Sequence, residues 1–121
     1  MARVALTVNS VASVAGVDLT GNETQGTADD MEFLNTGNEF ISVRNADATA
    51  ARDITVVANG TGRFGEDYSD EVVSVTATET VIIGPFPRAA FNTSASKVEL
   101  DLDAGNEADL YVAAFKFSPA S

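Results

Sequence analysis

The chain contains no cysteine and no histidine. The first absence excludes disulfide staples, thiolate metal sites and cysteine nucleophiles. The second removes the commonest general base near neutral pH and the usual imidazole ligand of zinc, copper and iron. Tryptophan is also missing and tyrosine occurs only twice, which leaves little aromatic platform for stacking a sugar or a base. Basic residues are scarce: five Arg with Lys97 and Lys116 stand against eighteen Asp and Glu, for a formal charge of −11 over 121 residues.

A surface of that sign repels phosphate backbones and anionic lipid, so neither nucleic acid nor a membrane is expected as a partner. No apolar run approaches the ~18 residues that a membrane-spanning helix needs. The stretch Met1 to Asn9 alternates in polarity and shows no secretory h-region, which reads as a soluble product of a cytoplasm. The acids are dispersed, with short clusters at Asp29-Asp30-Glu32, Glu66-Asp67-Asp70-Glu71 and Asp101-Asp103-Glu107-Asp109. Dispersed carboxylates with little Lys suit a protein working in very high salt, where screening removes the self-repulsion. An ordinary acidic domain is the alternative.

Strand signals fill most of the rest. Arg3 to Val8 alternates, Val11, Val14 and Val17 around Gly16 read as a bent strand or loop, and residues 20–30 read as a polar loop. Met31–Leu34 is a short strand. Glu39–Asn45 and Arg52–Ala58 carry the Phe, Ile, Val and Thr that fit a pleated, half-buried surface, and are expected to form a hairpin through Ala46–Ala51. Val72–Val75 and Thr80–Ile83 follow, joined through Thr76–Glu79. Gly84-Pro85-Phe86-Pro87 must leave regular pairing, because each proline removes a donor. The last expected pair is Lys97–Leu102 with Asp109–Phe117. The first of these alternates strictly. The second is apolar on both faces, with Tyr111, Ala113, Phe115 and Phe117 on one and Leu110, Val112 and Ala114 on the other, so a cover is expected on both, from its own domain or a neighbouring subunit. Residues 1–121 thus predict one all-β domain. Its architecture is an antiparallel, jelly-roll-like sandwich of seven to nine short strands, with a short polar tail at 118–121.

The search for chemistry ends without a catalytic, cofactor or metal site. Asp101 to Asp109 superficially resembles a calcium loop. However, the EF-hand pattern fails at Gly105, where Asp or Asn is needed, and at Asn106, where Gly is needed. The simpler expectation is a hairpin turn at Asp103–Asn106 with its acids solvated. The acids at 66–71 lack any sign of the cleft that glycoside chemistry requires. Asn22, Asn59 and Asn92 match the N-glycosylation pattern, which needs a secretory route to be used. A serine nucleophile would need Lys97 or Lys116 as base, and no Ser-x-x-Lys spacing is present.

Three pieces, in order, carry a resemblance: Phe33 to Asn45 running into Asp53 to Ala58, then Val81 to Pro87 with Phe91-Asn92, then Leu110 to Phe117. From about Thr27 to Phe117 the chain resembles small β-sandwich virion proteins of tailed viruses encoded with the head genes. The acidity and the long segment before Thr27 depart from the common bacteriophage versions, and point toward a virus of haloarchaea. The resemblance implies a capsid decoration, vertex or turret component, without enzymatic activity, that assembles as a symmetric homo-oligomer. Its partners would be itself and the major capsid protein or neighbouring virion proteins, and its location the virion. A host-surface module binding a glycan or protein, or a tail-associated protein, is the alternative. Within that reading Pro85, Phe86, Pro87 and Phe91 are the candidate subunit or shell contact. The two phenylalanines either anchor that contact or plug the end of their own sandwich.

Overall fold

The computed structural model describes residues 3–12, 20–60 and 68–118, and the Val14 and Val17 positions and the acids Glu66 and Asp67 lie outside them. The described residues form ten strands: β1 (Val4–Ala5), β2 (Val8–Ala12), β3 (Thr24–Gln25), β4 (Met31–Leu34), β5 (Glu39–Asn45), β6 (Arg52–Val56), β7 (Glu71–Val75), β8 (Thr80–Ile83), β9 (Lys97–Leu102) and β10 (Leu110–Ser118), with one α-helical turn α1 (Arg88–Phe91) and short 3-10 turns at Thr20–Asn22 and Glu107–Asp109. They form two sheets that pack face to face. One has the order β1-β4-β9-β6-β7. The other has the order β2-β10-β5-β8, and β3 pairs with β10 beside β2.

From β3 to β10 the chain changes sheet at every connection except β6 to β7, and every pairing among these eight strands is antiparallel. That strand order, β4-β9-β6-β7 facing β3-β10-β5-β8, is a jelly roll. The expected all-β sandwich is therefore present, with one refinement. β1 joins β4 and β2 joins β10 in parallel, so both sheets are mixed. Arg3 to Val8 is not one strand. It passes from β1 in one sheet to β2 in the other, and Leu6 is buried where it crosses.

The expected hairpins are corrected in the same way. β5 and β6 are strands at the anticipated positions, but they lie in opposite sheets, as do β7 and β8, and β9 and β10. The true hairpin joins β6 to β7, with Arg52 opposite Val75 and Val56 opposite Glu71. Strand propensity reports a fit to a pleated surface and says nothing of the partner. The connection Ala46–Ala51 also lacks the two-residue, positive-φ turn that closes a tight hairpin. Instead Asp47 accepts from Thr49 N–H at 3.1 Å and Ala50 N–H at 2.7 Å, shaping a wider turn that carries the chain across the core.

The core lies between the sheets. Met31 and Phe33 from β4, Ile54 and Val56 from β6, Val75 from β7, and Val98, Leu100 and Leu102 from β9 meet Ile41 and Val43 from β5 and Leu110, Val112 and Ala114 from β10. The inward row of β5 reads Glu39-Ile41-Val43-Asn45, so its two ends are buried polar groups. Each is hydrogen-bonded, as burial demands. The Glu39 carboxylate accepts from Thr36 N–H at 2.7 Å and Asn38 N–H at 3.1 Å. Asn45 donates to Ala50 O and Val75 O, both at 2.9 Å.

Both faces of β10 are covered, as its apolar pattern requires. The outer cover comes from within the domain at the described positions: Phe115 is fully buried and stacks on Phe40 with centroids 5.6 Å apart, and Arg44 lies 4.3 Å over the Tyr111 ring. Glu23, arriving from the segment before β3, holds that guanidinium through Nε at 3.1 Å and Nη2 at 3.0 Å.

Candidate functional site

The segment after β8 begins with a glycine that has a steric reason to be there. Gly84 has φ +134°, and a Cβ on it would lie 2.9 Å from both Cα and Cβ of Phe40. Glycine alone lets the chain bend so closely over β5. The Gly84–Pro85 peptide is cis. From there Phe86 turns inward. It is 3 % exposed and packs edge-on against Phe33 at 5.4 Å and Phe91 at 6.4 Å. Phe86 thus plugs the end of its own sandwich, with Phe91 half-buried beside it, while Pro85 and Pro87 stay at the surface.

This end is fastened by side-chain amides. Asn35, 2 % exposed, donates to Phe86 O at 2.9 Å and to Asn92 Oδ1 at 2.8 Å, and its own Oδ1 accepts from Gly37 N–H at 3.1 Å. Asn92 donates back to Asn35 O at 3.0 Å. The turn α1 is held from the other side, where Asn59 N–H and Gly60 N–H both donate to Ala90 O at 3.0 Å. Gly60 sits so close to the Ala89 carbonyl that no side chain fits there.

The surface left by this arrangement is apolar. Among the described residues β8 is the last strand of its sheet and pairs only with β5; Val81 and Ile83 face inward, while Thr80 and Ile82 face out. Ile82 is 67 % exposed, the most exposed large apolar side chain among the described residues. A depression of about 470 Å³ lies beside it, lined by Phe40, Ile82, Gly84, Pro85 and the Gly37–Glu39 turn. A second, of about 210 Å³, opens on the other side of Pro85 between the end strands of the two sheets, against Val56, Ile83, Phe86 and Phe91. Of the candidate contact residues Pro85, Phe86, Pro87 and Phe91, the structure turns Phe86 into the core, and it sets Ile82 and Phe40 beside Pro85 in the apolar depression. The signal for Ile82 in the sequence is Val81-Ile82-Ile83, a short strand apolar on both faces, a pattern it shares with β10.

Among the described residues the acids do not converge on a site. Asp101 pairs with Arg3 at 2.8 Å, Asp103 accepts from Asp53 N–H at 3.0 Å, and Asp109 holds Arg52 at 2.9 Å. The hairpin with solvated acids expected at 101–109 is therefore corrected: the turn joins two sheets, and its carboxylates brace loops. Asp70 does the same at Ala58 N–H, 2.7 Å away, and Lys97 pairs with Glu32 at 2.9 Å. Among the described residues no group of three or more acids could hold a metal ion. The Asp47 carboxyl is held below the usual aspartate range, first by the Ala50 N–H, then by the Thr49 N–H, with Arg52 contributing. Asn59 and Asn92 commit their amides to internal bonds. A polar depression of about 340 Å³ on the opposite flank is lined by Thr7, Asn9, Asn22, Glu23 and Thr24 above Ala113.

No helix among the described residues is long and apolar enough to cross a membrane. No protein-family model, characterised protein or solved structure matches this chain. The class is therefore given by topology alone: a ten-strand β-sandwich with a jelly roll at its centre.

Proposed function

We propose that this chain is a structural virion protein, a capsid decoration or vertex component that works by assembling with itself and with neighbouring shell proteins. The observation that carries the reading is the strand order: eight strands crossing repeatedly between two sheets, an architecture that viral shells use widely. Such a domain presents its outer flanks and end loops to neighbours and keeps its interior solid. The polar side chains here suit that role. Asn35, Asn45, Glu39 and the loop acids are spent on bracing the two ends of the sandwich. Ile82, the most exposed large apolar side chain among the described residues, forms an apolar strip with Pro85, on a molecule whose charge of −11 discourages casual contacts. That same charge fits a particle living in concentrated salt, where repulsion between copies is screened within a few ångströms. The test is direct: in molar salt the purified chain sediments as an oligomer or co-sediments with particles, and density for it is found on the particle surface. A chain that stays monomeric at every concentration and binds no particle would overturn the proposal.

A further inference from the structure

We infer that β8 is the strand through which two copies of this chain join, edge to edge and antiparallel about a two-fold axis at Val81. The inference deepens the structural reading above and rests on it.

The backbone supplies the first reason. Asn45 N–H donates to Glu79 O at 3.0 Å, and this pair continues the register Val43–Val81 and Ile41–Ile83. Hydrogen-bonded and non-bonded pairs alternate along an antiparallel ladder. Thr80 and Ile82 therefore turn their N–H and C=O groups away from β5, and no third strand meets them among the described residues. A two-fold axis at Val81 sets Thr80 of one copy opposite Ile82 of the other, twice. Both free donors and both free acceptors on each copy are then paired, giving four new backbone bonds from one self-complementary contact.

Side chains supply the second. Exposed sheet edges are normally blunted by charge, proline or a bulge. From Thr80 to Ile83 β8 has none of these, and the prolines come only after it. The two-fold alignment keeps both Ile82 side chains on the same outer face, each against Thr80 of the other copy and beside the depression lined by Phe40 and Pro85.

Charge chooses the occupant and the direction. The strip Thr80–Pro87 carries no charge, and it is bounded by Glu79 at one end and Arg88 at the other. Both are exposed, and neither has an ion-pair partner among the described residues. Antiparallel joining brings the acidic end of each copy to the basic end of the other, whereas parallel joining would set like against like. A four-residue strand falls short of the roughly 800 Å² per partner of a standard stable interface, so the join is weak alone and suited to a lattice of repeated contacts.

Sedimentation over a concentration series measures it. Ile82→Lys is expected to raise the dimer dissociation constant about thirtyfold, the scale of a central interface residue, at an unchanged melting temperature. Glu79→Arg and Arg88→Glu each weaken dimerisation at low salt, and combining them restores it. Because the chain has no cysteine, Val81→Cys on mild oxidation gives a disulfide-linked dimer, and Val72→Cys on the end strand of the other sheet does not. If Ile82→Lys leaves the association constant unchanged and Val81→Cys cross-links no faster than Val72→Cys, the β8 join is wrong even where oligomers form. If the wild-type chain neither self-associates nor binds particles, the structural reading falls and the join falls with it.

Discussion

Asn35 and Asn92 hold each other by a reciprocal pair of bonds: Asn35 Nδ2–H donates to Asn92 Oδ1 at 2.8 Å, and Asn92 Nδ2–H donates to Asn35 O at 3.0 Å. The two residues lie 57 positions apart. Their clasp ties the turn after β4 to the chain leaving α1, and the second bond of Asn35, to Phe86 O, fixes the plug between them.

Replacing Asn35 by Ala therefore strands several buried groups together. Asn35→Ala is expected to cost about 2–3 kcal/mol in a urea titration, because the orphaned acceptors at Phe86 and Asn92 lose water without a substitute. Asn92→Ala costs less, since Asn92 is only half-buried. Equal and negligible losses for the two would show that the clasp carries no weight.

Phe86 acts on the fold. Phe86→Ala removes a ring that touches Phe33 and Phe91 inside the core, and is expected to cost about 3–5 kcal/mol of unfolding free energy. The loss appears equally at low and high protein concentration, in contrast to Ile82→Lys.

Arg44 and Glu23 form a pair whose acid is the more deeply buried partner, with 5 % of its side chain exposed against 34 %. Arg44→Met leaves that carboxylate without its donors and is expected to destabilise the domain by about 2 kcal/mol. Adding Glu23→Gln recovers part of the loss. A double-mutant cycle with no coupling between the two positions would contradict the arrangement over Tyr111.

Acid stability has a defined contributor in Asp47. Its carboxyl is depressed in the folded state, so it favours folding above the ordinary aspartate range, and that contribution disappears as pH falls through the range and below it. Asp47→Asn is expected to flatten this limb of the stability–pH curve while leaving the slope near neutrality unchanged. A curve that keeps its full acid slope in the variant would remove Asp47 from the account.

Much of the fold can be read from local pattern. Met31–Leu34, Glu39–Asn45, Thr80–Ile83 and Lys97–Leu102 are strands with the very boundaries that alternation and turn residues predict. Pairing cannot be read that way. Asn45 looks like the end of a hairpin strand. In the folded chain it spends its amide on Ala50 and Val75, which draws the connection across the core. Asn35 likewise looks like one turn residue among several, because nothing local reveals that Phe86 O lies within its reach. The exposed apolar segment after β8 is legible in part. Prolines marked the place where regular pairing stops, but Phe86 and Ile82 differ in which side faces solvent, and only the sheet order decides that.

The final strand is flanked by the earliest ones. β10 lies between β5 on one side and β2 and β3, placed end to end, on the other, with Ala114 beside Val8 and Tyr111 beside Gln25. That sheet forms only once β10 has been synthesised, so β2 and β3 wait for it, whereas β1 can pair early with β4. Pairings that span nearly the whole polypeptide make for slow maturation. Until β10 arrives, the edges of β2 and β3 stay open to other copies, so this is the interval in which a new chain is most prone to aggregate.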